Sequence, residues 1–61
     1  MDYVLFMIDC EDGREVYAGR AEDNSIGLTP YLARALKFET ARLAYDFGRE
    51  NNLLDMKAGY R

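Results

Sequence analysis

Six consecutive apolar residues, Tyr3-Val4-Leu5-Phe6-Met7-Ile8, followed by Asp12-Gly13 and a second β-forming run, constrain this chain more than any other feature. A strand alternates its side chains between two faces, so an unbroken apolar run puts large side chains on both faces of its sheet. Each face then needs a cover. A chain of 61 residues is expected to form one domain, residues 1–61, and to bury only about 60% of the surface its unfolded form exposes. It has one cysteine, Cys10, and no histidine, so neither an intramolecular disulfide nor a Cys/His zinc site can brace the fold.

Residues 3–10 and 14–20 predict two strands joined by a turn at Glu11-Asp12-Gly13. A two-residue Asp12-Gly13 loop would pair Asp9 with Val16 and Met7 with Ala18. A three-residue loop, with Gly13 left-handed in a bulge, would pair Ile8 with Val16 and Phe6 with Ala18. The second register is preferred because it gathers Val4, Phe6, Ile8, Val16 and Ala18 on one uncharged face. Tyr3, Leu5, Met7 and Tyr17 are then left on the other.

Residues 21–28 are polar, contain Gly27, and read as a loop. Thr29-Pro30 predicts the start of a short helical turn over 30–37, and Thr40 the cap of a main helix over 41–51. One continuous helix is the alternative. The main helix would aim Leu43, Ala44 and Phe47 at the sheet and expose an Arg42–Asp46 pair. Asn51-Asn52 ends it, and "LLDMKAGYR" then alternates Leu54, Met56, Ala58 and Tyr60 against polar or small residues, the period of a strand. The expected fold is α+β: a three-stranded antiparallel sheet of order 2-1-3, reached by a right-handed crossover, with one helix on one face. Its core would be Phe6, Ile8, Leu43 and Phe47.

Catalytic and cofactor chemistry finds little footing. Without histidine no Ser-His or Cys-His nucleophile can be built, and Cys10 lies among Asp9, Glu11 and Asp12, whose charge discourages a thiolate. The run "DCEDG" imitates a calcium loop, but its glycine is at the fifth position and the twelfth residue from Asp9 is Arg20, not a glutamate. No phosphate-binding glycine motif appears. The chain is therefore expected to be no enzyme and to take no metal or cofactor. Its longest apolar run is far short of a membrane span and no charged n-region precedes it, so a soluble, cytoplasmic protein is expected.

The segment "ARALKFETARLAYDFG" carries Ala35, Phe38, Thr40 and Ala44 in an A-x-x-F-x-T-x-x-x-A pattern, after a hairpin and before a last strand. In this it resembles small phage and prophage accessory proteins of strand-strand-helix-strand layout. The resemblance implies that Phe38 plugs the core, Thr40 caps the helix and Ala44 allows close helix–sheet approach. It also implies stoichiometric action in a host cell's cytoplasm, as by inhibitors of host enzymes or defence systems.

Two functions follow. The first is a protein-binding module that uses the uncovered face, Tyr3, Leu5, Met7 and Tyr17, or the acidic hairpin, Glu11, Asp12 and Glu15. The same apolar face would support a homodimer. The second is a nucleic-acid accessory that stacks bases on Tyr3, Tyr17 and Tyr60. Charge opposes the second: the net charge is -3, and residues 1–30 hold seven acids against Arg14 and Arg20.

Overall fold

The computed structural model describes residues 2–61. Strands β1 (Tyr3–Ile8) and β2 (Glu15–Arg20) form the expected hairpin, but its loop is one residue longer than the sequence suggests. Asp9 N–H donates to the Arg14 carbonyl at 2.8 Å, and Gly13 N–H donates to the Asp9 carbonyl at 2.8 Å. Asp9 also accepts the Glu11 N–H on its Oδ1 at 2.9 Å, which turns the chain early. Gly13 takes a φ of 70°, the left-handed region in which a side chain is disfavoured. The register therefore pairs Phe6 with Tyr17, Met7 with Val16 and Ile8 with Glu15. Relative to the expected pairing, β1 has slipped one residue and exchanged its faces.

The sheet has four antiparallel strands rather than three, in the order β3-β2-β1-β4, with β3 at Ile26–Thr29 and β4 at Lys57–Tyr60. Thr29 thus ends a strand. Its Oγ1 accepts the Tyr31 N–H at 3.2 Å where a helix cap was expected, and only a single 3-10 turn, Leu32–Arg34, follows. Helix α1 (Ala41–Glu50) begins as expected, with Thr40 Oγ1 accepting the Leu43 N–H at 3.2 Å. It stops at Asn51, after which Asn52 adopts a φ of 59°. Asp46 meets Arg49 at 3.9 Å; the expected Arg42 pair does not form.

Both faces of β1 are covered. Leu5 packs with Ala18, Ala44 and Met56, flanked by Tyr3, Met7, Phe38 and Phe47, so the helix lies on the Leu5 face. Val4 packs on the opposite face with Tyr17 and Ala35, flanked by Phe6. The second cover comes from the segment before the helix. Leu36 N–H donates to the Ala18 carbonyl at 2.9 Å, and Phe38 exchanges two backbone bonds of 2.9 Å with Tyr3. The chain passes between the diverging ends of β1 and β2, from the Val4 face to the Leu5 face. Gly19 permits this: a Cβ there would stand 2.8 Å from the Arg34 backbone oxygen. Ile8 and Leu43, both expected in the core, are each 50% exposed, because the slipped register turns Ile8 away from the helix and Leu43 lies on its flank.

Candidate functional site

The expected apolar docking face is not open. Leu5 is 1% exposed and Tyr17 8%, so neither can meet a partner, and the symmetric dimer drawn on them loses its surface. Met7 survives in a different setting. Helix α1 packs chiefly over β1 and β4, burying Ala18 of β2 but leaving Leu28 of β3 exposed on the same face. There Met7, Val16, Leu28 and Pro30 line an open concavity of about 420 Å³, with Asp9, Cys10 and Glu11 on its rim. The register builds it: Met7 stands opposite Val16, and Leu28 opposite Ala18 on the next strand out.

The acids of the hairpin divide into separate roles. Asp9 holds the turn, and Asp12 Oδ1 accepts the Arg14 N–H at 3.4 Å. Glu15 belongs to the Val4 face, where Arg61 donates to it through Nη2 at 2.8 Å and through Nε at 3.3 Å. Tyr17 adds its hydroxyl, donating to Glu15 at 3.0 Å. The Arg61 and Tyr17 hydrogen bonds hold the Glu15 carboxyl below its ordinary range, and the same hydrogen bonds to Glu15 raise both partners. Sequence reasoning missed this cluster, whose members lie 46 residues apart. Glu11, exposed on the rim, remains free of a side-chain partner among the described residues.

The three tyrosines share no platform. Tyr17 is buried on the Val4 face, while Tyr3 meets Tyr60 edge-on on the other, with ring centroids 5.2 Å apart. A second concavity, about 290 Å³, flanks β3 and is lined by Gly19, Arg20, Gly27, Thr29, Tyr31 and Arg34, and it shares Leu28 and Pro30 with the first. Sequence reasoning missed both concavities because it placed no strand at residues 26–29. Among the described residues no helix is long and apolar enough to cross a membrane. Comparison with protein-family models, characterised proteins and solved structures finds no match to this chain.

Proposed function

We propose that this chain is a small non-enzymatic protein-binding module, acting by stoichiometric binding as an inhibitor or modulator of a partner protein. It docks through the concavity of Met7, Val16, Leu28 and Pro30. The observation that carries this is Leu28, a large apolar side chain 58% exposed in a concavity with acids at its rim. Contiguous apolar surface bordered by polar groups is characteristic of interaction sites. Glu11 on the rim favours a partner with basic residues beside its apolar anchor, since opposite charges steer encounter. The strongly interacting ionisable groups, Glu15, Tyr17 and Arg61, lie on the other face and satisfy one another. The resemblance to small phage proteins points to the same mode of action.

Affinity capture from cells of the source organism, then sedimentation equilibrium of the purified complex, tests this. A stable complex of fixed stoichiometry with an unmodified protein is expected. Recovery of nucleic acid in place of protein, or a partner released in covalently altered form, would contradict it.

A further inference from the structure

The outer edge of β3 has no strand beside it among the described residues. Ala21 N–H donates to the Ser25 carbonyl, and the Ala18 carbonyl accepts from Leu36 on the β1 side. Antiparallel alternation then assigns the β2–β3 ladder bonds to Gly19–Gly27 and Tyr17–Thr29. Ile26 and Leu28 therefore direct their N–H and C=O groups away from the sheet. Edge strands are ordinarily blunted by charge or proline; Ile26–Thr29 contains neither, and Pro30 stands only after its last residue. The opposite edge, β4, carries Lys57 and is followed by Arg61.

The two faces beside β3 differ. Ile26 and Leu28 lie on the apolar side, where the Met7–Val16–Leu28–Pro30 concavity opens. Gly27 and Thr29 lie on the other, in the concavity that Arg20, Tyr31 and Arg34 also line. No acid lines that second concavity among the described residues, and the Arg34 guanidinium sits 5.8 Å from the Tyr31 ring centroid. A Cβ at Gly27 would meet nothing within 4 Å, so side chains of an added strand have room there.

We propose that β3 accepts an extended peptide segment as a fifth, edge strand, its side chains alternating apolar and acidic. Apolar residues enter the Leu28 concavity, and carboxylates lie over Gly27 toward Arg34. Main-chain bonds to Ile26 and Leu28 supply affinity, and the alternate side chains supply selectivity. A second copy of this chain fits less well: its β3 offers no carboxylate, and its β4 would bring Lys57 and Arg61 toward Arg34. This deepens the protein-binding role proposed above and rests on it: the carboxylates of the added strand face the Arg34 concavity, and the basic residues that meet Glu11 lie outside that strand, beside the other concavity.

The probes are two capped peptides, one alternating valine with glutamate and one alternating valine with lysine, titrated into the isotopically labelled chain. The glutamate peptide is expected to shift the Ile26 and Leu28 amides and slow their exchange with solvent, and the lysine peptide to bind more weakly. Arg34→Glu should reverse that preference by about tenfold, one exposed attraction being replaced by a repulsion. N-methylation of the Leu28 amide, introduced by chemical synthesis, should abolish binding while the side chain remains. Equal binding of both peptides, or protection at Lys57–Tyr60 in place of Ile26 and Leu28, would overturn the proposal. If a natural partner is lost on Leu28→Asp but binds without protecting the Ile26 and Leu28 amides, strand addition fails and the protein-binding role stands.

Discussion

Arg61 lies across the ring of Phe6, its guanidinium carbon 4.6 Å from the ring centroid, and from there grips Glu15 on the next strand at 2.8 Å. One C-terminal side chain thus ties β4 to β2 over β1 and seals the Val4 face. Glu15 has its pKa lowered in the fold, so its contribution is present above the ordinary glutamate range and is lost as the pH falls through the lowered folded value. Tyr17 is shifted the other way, so its contribution is lost at the alkaline end. Arg61→Gln is expected to lower the melting temperature at neutral pH and to flatten the acid limb of the stability profile. A variant whose acid limb matches the parent's would show that the cluster does not form.

Gly59 faces the same ring. A Cβ at this position would lie 2.6 Å from Phe6 Cε1, so Gly59→Ala must displace the ring that Arg61 covers. Overpacking of this kind costs about 1–3 kcal/mol, measurable by urea denaturation. An unchanged midpoint would mean that the ring sits elsewhere.

The slipped register makes an unambiguous comparison within β1. Leu5→Ala should cost about 2–5 kcal/mol, because Leu5 is enclosed between the sheet and Ala44. Ile8→Ala should cost much less, because half of Ile8 faces solvent. The reverse order in chemical denaturation would restore the register with Ile8 opposite Val16.

Much of this fold was legible in the sequence, and the failures are local. Thr40 and Asn51 marked their element, and the alternation marked the last strand from Lys57 onward, because capping and period-two patterning depend on near neighbours alone; Leu54, expected in that strand, lies in the turn before it and is exposed. The hairpin register did not, because Asp9 captures the Glu11 N–H and begins the turn one residue before Glu11-Asp12-Gly13 would. That single residue exchanged the faces of β1, and with them the site: Leu5 and Tyr17 went into the core, and only Met7 and Glu11 of the expected docking residues border the concavity. Strand β3 was hidden by its glycine. Gly27 stands opposite Gly19, and the pair reads locally as loop; the Arg34 carbonyl requires glycine at position 19, whereas a Cβ at Gly27 would meet nothing within 4 Å.

The rim acids should separate by measurement. Glu11→Gln is expected to leave stability unchanged while slowing association with a basic partner and weakening its dependence on salt. Glu15→Gln should lower stability and leave the association rate alone, since its carboxylate is engaged by Arg61. Equal effects of the two on association would mean that the hairpin acts as one undivided patch of charge.

Two exposed leucines test the docking surface most directly. Leu28 lies in the proposed concavity, and Leu54, 73% exposed, lies beyond the helix among the residues that lead into β4. Leu28→Asp and Leu54→Asp are compared for affinity to the captured partner, after thermal melting confirms that each variant is folded. Leu28→Asp should abolish binding and Leu54→Asp should leave it intact. Binding retained by Leu28→Asp, or lost only with Leu54→Asp, would contradict the assignment of this surface.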